Sequence, residues 1–385
     1  MHLSANEQVA AAPEQEFRAV WVTAWSEGFL SPEQADETIR LAAEANLNAL
    51  VVQVRKVGDA YYSSAYEPRG DNISGGPSYD PLAYTIEKAH AAGTEVHAWI
   101  NVCRVWRGDA TAEDPCHVTR RHPEWLTRTR TGKTSSPDGQ FLDPGVPEVK
   151  EYIGQIVTDL LSKYDVDGIH LDYIRYPGQD FGYNPTSLER FNQYHQRIGR
   201  PRNDDPQWCQ WRRDQVTETV RRVYHVIRAT KPGAKLTVAG IPWGDCPFSF
   251  EQSTPYRRVY QDWAAWLKEG IIDAAIPMNY RDQKNPEQAR EYSNWLDGMT
   301  RWRAGRHVYA GLMLSGDDES AVQQIKQIRS AHLDGVVAFA FNAAPWRESL
   351  VKTLRAEVFT APASVPKMQW RAPAEVASTE QAKGG

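Results

Sequence analysis

Apolar residues recur along the chain in short β-branched runs, and each run is followed by a stretch with helical spacing. The runs are FRAVWVTAW (17–25), NALVVQVR (48–55), EVHAWIN (95–101), VDGIHLDY (166–173), KLTVAGIP (235–242), DAAIPMNY (273–280), HVYAGLML (307–314) and GVVAFAFN (335–342). Helical periodicity falls at about 32–45, 80–92, 147–164, 208–230, 256–268, 286–303, 318–332 and 346–357. Ser31-Pro32 and Asp80-Pro81 place proline in the first turn after a capping residue, and Lys231-Pro232-Gly233 stops a long helix before the fifth strand. Eight strands alternating with eight helices, without a break in composition, predict a (β/α)8 TIM barrel as a single catalytic domain over 17–360. A doubly wound sheet would carry a glycine-rich phosphate turn after an early strand, and the chain has none. A two-domain α/β arrangement is the competing organisation. Residues 1–16 and 361–385, rich in Ala, Glu, Gln, Pro and Ser, are expected as flexible tails. The connections after strand three (about 102–146) and strand four (about 174–207) are enlarged. In a barrel both rise over the C-terminal face, where chemistry sits.

Composition narrows the function. Apolar residues make up 41% of the 385 and charged residues 24%, as in ordinary soluble domains. With a net charge of −5, no polybasic surface suggests nucleic acid or an anionic membrane as partner. The 14 Trp and 17 Tyr supply flat faces of the kind that stack on sugars, although most are expected in the core. Cys103, Cys116, Cys209 and Cys246 form no C-x-x-C pair, so they are expected as buried free thiols rather than zinc ligands. No apolar run reaches 18 residues, which predicts no membrane span. MHLSANEQVAAAPEQEF has no cationic region leading into an apolar one, so no signal peptide is visible and the cytoplasm is favoured.

If the strands close, polar residues at their C-terminal ends share one mouth. Arg55 and Asp59 follow strand two; His97, Asn101 and Arg104 come from strand three; His170, Asp172, Tyr173 and Arg175 from strand four. Trp243 and Asp245 follow strand five, Asn279 and Tyr280 end strand six, and Asn342 ends strand eight. Glycosidic cleavage asks for such a set: two carboxyl groups, donors for hydroxyls and aromatic platforms. Alternation with period two turns His170 and Asp172 to the barrel interior, so Asp172 is the first catalytic candidate. Its structural alternative is an ion pair with Arg55 or Arg175, and an arginine there would lower its pKa and keep it ionised. Asp245 has a turn-forming alternative, and Asp59 a cap or a bridge to Arg55. His97, His170 and Asp172 lack the spacing of metal ligands, so neither metal nor cofactor is expected.

FRAVWVTAW, NALVVQVRKVGDAYYSS, VHAWINVCR, FLDPGVPEVKEYI and VDGIHLDYIRYPG together resemble the bacterial glycosyl-hydrolase-like family 10, a group distinct from the family 10 xylanases that includes peptidoglycan-glycan hydrolase lipoproteins. The resemblance runs over about 17–345. It implies a TIM barrel acting on a bacterial cell-wall polysaccharide or exopolysaccharide, with members often exported. By motif match it implies substrate contacts for Arg55, Asp59, His97, Asn101, Arg104, His170, Tyr173 and Arg175, to which the strand ends add Trp243, Asn279, Tyr280 and Asn342. PMNYR (277–281) and IPWGD (241–245) depart from the family's usual Gln-x-Tyr-Trp and Ser-Pro-Phe-Gly forms, and both fall in the cleft. DGIHLDY is also similar to the strand-four signature of chitinase-like barrels, and MNYRD to their strand-six motif, but the acid position is Ile174. Either Asp172 is the acid, or it is the nucleophile and Asp245 the acid. A non-catalytic glycan-binding barrel and a metal-dependent polysaccharide deacetylase or hydrolase are the rival classes.

Overall fold

Eight parallel strands close on themselves, each paired with its neighbours in chain order. They are β1 (Phe17–Val22), β2 (Ala49–Arg55), β3 (Glu95–Asn101), β4 (Gly168–Asp172), β5 (Lys235–Gly240), β6 (Ala274–Pro277), β7 (His307–Met313) and β8 (Gly335–Phe339). Phe17 pairs with Gly335, joining first strand to last. The computed structural model describes residues 13–314, 318–341 and 348–371. The fold is the TIM barrel, and it displaces the two-domain alternative.

Both faces of these strands are buried, which is why the runs read as nearly continuous apolar sequence. Val20, Leu50, Val52, Ile169, Leu171 and Val238 face outward into the core shared with the helices. Phe17, Ala19, Trp21, Val51, Trp99, Ile276, Tyr309 and Val337 fill the interior. Most strands stop short of the apolar runs. β4 ends at Asp172, and the following residues leave the ladder to form the mouth.

Helix starts follow their sequence signals. Ser31 caps Pro32–Glu44, Asp80 caps Pro81–Ala91, and Asp205 caps Pro206–Thr230. The helix expected over 256–268 is two, Thr254–Arg258 and Trp263–Glu269, parted by Tyr260 at φ +60. The enlarged β4 connection adds Pro185–His195. The β3 connection folds back as a small antiparallel sheet of Arg104–Trp106, Ser135–Ser136 and Gly139–Phe141. Gly139 has φ +107, and an added Cβ would collide with the Trp106 carbonyl, so this turn accepts glycine and fixes Asp138 beside it. All four cysteines are free thiols, but only Cys103 is buried; Cys116 is exposed, because it lies on the long β3 connection rather than in the core. Among the described residues no helix is long and apolar enough to cross a membrane.

The N-terminal end of the barrel is closed by residues that the composition placed in a tail. Asn48 donates to the Ala363 carbonyl at 2.9 Å, and Val365 packs against the interior cluster. The Trp370 indole and the Arg371 guanidinium both donate to Asp273, at 2.9 and 2.7 Å. On the same floor Glu95 accepts from Lys235 at 2.6 Å and meets His97 at 3.1 Å. Burial works against the Glu95 carboxylate, but His97 and Lys235 outweigh it and hold it at about 2. A depressed folded pKa gives stability that is present above the ordinary value of 4.5 and lost as pH falls toward 2. The melting-temperature gap between wild type and Glu95→Gln is therefore expected to be widest at neutral pH and to shrink between about pH 4.5 and 2. A gap that stays constant across that window would show that this cluster contributes nothing through ionisation.

Candidate active site

The inward residues of β4 stack in layers. Gly168 lies lowest, where an added Cβ would strike the His97 ring. His170 lies in the middle and is fully buried. The Trp21 indole donates to its Nε2 at 3.1 Å, so its Nδ1 carries the proton and donates to the Thr237 hydroxyl at 2.9 Å. Burial, with His97 behind it, pushes His170 down to about 3, and the ring is neutral. His97 is lower still, beside Phe17 with ring centroids 5.5 Å apart. Both histidines are thus interior packing groups, and neither reaches the mouth where substrate contacts were expected.

Asp172 is the top layer and is 8% exposed. Its Oδ1 accepts from the Tyr173 backbone N–H at 2.6 Å. Tyr173 holds φ at +48, a strain on the order of 1 kcal/mol for a residue with a side chain, and that kink turns the chain out of the barrel at the carboxyl. Burial raises the Asp172 carboxyl above the ordinary carboxylate range; the Tyr173 N–H, Arg175, the Trp99 indole and Arg104 pull the other way without prevailing. No ion pair to Asp172 is formed among the described residues.

That outcome corrects the expected role of Arg55. Its guanidinium is fully buried and grips Glu67, with Nε to Oε2 at 2.8 Å and NH2 to Oε1 at 2.7 Å. Tyr152 donates to the same carboxylate at 2.7 Å, and Arg55 also donates to the carbonyls of Asn101 and Val102. Arg55 therefore ties the loop after β2 to the end of β3. Three other expected substrate contacts are likewise spent on the protein. Asn101 donates to the Lys56 carbonyl at 2.7 Å and accepts from Trp99. Asn279 donates to the Tyr292 carbonyl and accepts from Arg281. Asp59 accepts from the N–H groups of Lys56 and Val57 and from the Tyr61 hydroxyl. Asn342 lies outside the described residues.

Of the remaining candidates, all but Asp245 meet around Asp172. The Arg175 guanidinium lies 4.8 Å from the Tyr173 ring and 5.3 Å from the Trp243 ring, and Trp243 is 42% exposed. Arg104 lies 5.1 Å from the same Tyr173 ring. Tyr280 stacks on Phe339 and stands edge-on to Trp21. Its hydroxyl is buried without a protein partner, and burial beside Asp172 raises it well above its ordinary value. Asp245 does not join this ring. It is exposed, and its Oδ1 accepts from Asn294 on the outer helix Pro286–Trp302 at 2.9 Å. That amide draws its carboxyl below the usual range, the wrong direction for a proton donor.

Four mouth residues were absent from the sequence reading. Trp25 continues the first apolar run and carries Arg107 and Lys56 over its ring, at 3.4 and 4.7 Å. Asp138 pairs with Arg175 at 3.3 Å, and its carbonyl accepts from Arg104 at 2.7 Å. Arg175, 4.8 Å from the Tyr173 ring, links Asp138 to the residue whose backbone N–H holds Asp172. The signal available for Asp138 was Pro137-Asp138-Gly139, which reads as a turn and nothing more.

The family described as Glycosyl hydrolase-like 10 matches residues 16–326. Glycosyl hydrolase YngK of Bacillus subtilis (strain 168) is 28% identical over 398 residues, a match that covers 94% of this chain and 75% of YngK. Glycosyl hydrolase DigH of Escherichia coli (strain K12) is 28% identical over 260 residues, covering 61% of this chain and 54% of DigH, so the match spans about half of that protein. Among solved structures, the PgaB (BpsB) glycoside hydrolase domain from Bordetella bronchiseptica superposes with a TM-score of 0.64 at 13% identity, over 90% of this chain and 100% of that one. The catalytic domain of beta-amylase from Paenibacillus polymyxa gives 0.66 at 11% identity, over 91% and 99%. At these identities the structural likeness is one of fold, the TIM barrel.

Proposed function

Because this chain belongs to the glycosyl hydrolase-like 10 family, we propose that it is a glycoside hydrolase cleaving a bacterial cell-wall glycan or exopolysaccharide at the mouth around Asp172. The carrying observation is the state of Asp172: a carboxyl at the C-terminal end of β4, buried, raised in pKa and without an ion-pair partner among the described residues, inside a ring of Arg104, Tyr173, Arg175, Trp243 and Tyr280. A carboxyl whose pKa burial raises holds its proton to higher pH than an ordinary aspartate does, the direction that suits a group protonating a leaving glycosidic oxygen. Asp138, 3.3 Å from Arg175, is the second carboxyl, acting on water or on the sugar itself. This assignment replaces Asp245 and leaves Asp172 in the acid role, which is one of the two that the missing acid at Ile174 left open. Trp243 and Tyr173 give aromatic faces for sugar, and the free Tyr280 hydroxyl gives a donor.

Release of reducing ends from a panel of bacterial glycans tests this. Asp138→Asn is expected to lower kcat by about 100-fold or more. Asp245→Asn is expected to stay within about threefold of wild type, since that carboxyl contacts Asn294 and the Cys246 N–H. The opposite order would return the acid to Asp245. Binding without product on every glycan would make the barrel a non-catalytic glycan receptor, and turnover abolished by a chelator would make it a metal-dependent hydrolase.

A further inference from the structure

Arg104 and Arg107 stand together on one rim of the mouth, both over Trp25, with guanidinium carbons 5.7 and 3.4 Å from the indole centroid. Two like charges on one ring repel each other. The neighbouring cations are compensated: Lys56 lies 3.6 Å from both Asp59 and Asp71, Arg175 lies 3.3 Å from Asp138, and Arg281 lies 3.2 Å from Glu291. Among the described residues, neither Arg104 nor Arg107 has a carboxylate within 4.0 Å. Among the described residues Arg104 donates only to the Asp138 carbonyl, at 2.7 Å, and to the Tyr173 hydroxyl, at 3.4 Å. The Arg107 side chain makes no hydrogen bond among the described residues. Burial and then Arg104 hold the Arg107 guanidinium below its ordinary value, against the more distant pull of Asp59 and Asp71.

The chain as a whole carries −5, so this pair is a local excess of positive charge rather than a sample of a basic surface. Stacking on Trp25 holds the Arg107 fork against a flat face and leaves its N–H groups unused, and two planar forks match a carboxylate or phosphate. The rim is one residue away from the ring around Asp172, because Tyr173 touches both: its ring lies under Arg104 and its backbone N–H holds the Asp172 carboxyl. Building on the glycosidase reading, we propose that Arg104 and Arg107 bind an anionic substituent, a carboxylate or phosphate, on a sugar next to the scissile bond, so that the enzyme selects acidic glycans over neutral ones.

The test compares three strands of one backbone: carboxylated, carboxyl-reduced and phosphorylated. The carboxylated or the phosphorylated strand is expected to exceed the reduced one by about tenfold in kcat/KM, chiefly through KM, and which of the two leads identifies the group. In Arg107→Gln, an exposed position that does not threaten the fold, that ratio is expected to fall toward one. Equilibrium binding of the same strands to Asp172→Asn protein reads the subsite without catalysis: acidic strands bind more tightly, with a steeper salt dependence than the reduced strand. Equal turnover and equal binding of charged and reduced strands would overturn the anion subsite while leaving the glycosidase reading intact. Charge-selective binding with no hydrolysis of any strand would keep the subsite and overturn the glycosidase reading.

Discussion

Asp172→Asn is expected to lower glycan turnover by about 1,000-fold or more, to leave glycan binding in place, and to raise the melting temperature at neutral pH. The first effect follows from removing the proton that the leaving oxygen needs. The second follows because Asn keeps the shape of the side chain and can still accept from the Tyr173 N–H. The third separates this account from a structural one. Burial raises the folded pKa of Asp172 above its ordinary 3.8, so the folded state prefers the neutral acid. Its contribution to stability is complete below pH 3.8 and is lost as pH rises through the raised value, leaving a buried charge without an ion pair. Asn removes that charge. The gain in melting temperature should therefore be present at pH 7 and vanish toward pH 3. The same sign puts the alkaline limb of the activity profile above the ordinary carboxylate range. A variant less stable than wild type at pH 7, or one that hydrolyses at an undiminished rate, would remove Asp172 from the centre of the chemistry.

Arg55→Met is expected to destabilise the fold by about 3–5 kcal/mol in urea unfolding, because it leaves the Glu67 carboxylate sealed with Tyr152 and no cation. Burial disfavours the Arg55 charge, but the Glu67 carboxylate outweighs it and the guanidinium is held above its ordinary value. Removing both charges together, in Arg55→Met with Glu67→Leu, is expected to recover much of the loss, since an apolar pair of similar volume avoids desolvating ions. The folded fraction of Arg55→Met should keep its KM, because the guanidinium faces Glu67 and the β3 carbonyls rather than the mouth. A stable Arg55→Met protein with a raised KM would place Arg55 at the substrate, as its position at a strand end suggested.

Arg55, Asn101 and Asn279 show why position at a strand end is an incomplete guide. All three end or follow a strand on the catalytic side, as mouth residues do, yet all three brace the loops that form the mouth. A long connection must satisfy its buried backbone carbonyls, and the nearest side-chain donors are those at the strand ends. His97 and His170 show the same limit by depth. Alternation sends them inward correctly, but it does not say how far below the rim a layer lies. Asp138 is the converse, a turn residue by sequence that the fold-back of the small sheet sets beside Arg175.

The eight-stranded barrel, the capped helix starts and the inward turn of Asp172 were all readable from the chain, because strand alternation, capping and double-sided burial are local patterns that each segment carries in its own residues. The partners of the charged groups were decided by the tertiary structure: Glu67 for Arg55, Asn294 for Asp245, Asp138 for Arg175, and Trp25 beneath Arg104 and Arg107. Those pairings depend on where long connections return, and the return path is set by packing across the whole barrel end rather than by any residue's neighbours in the chain.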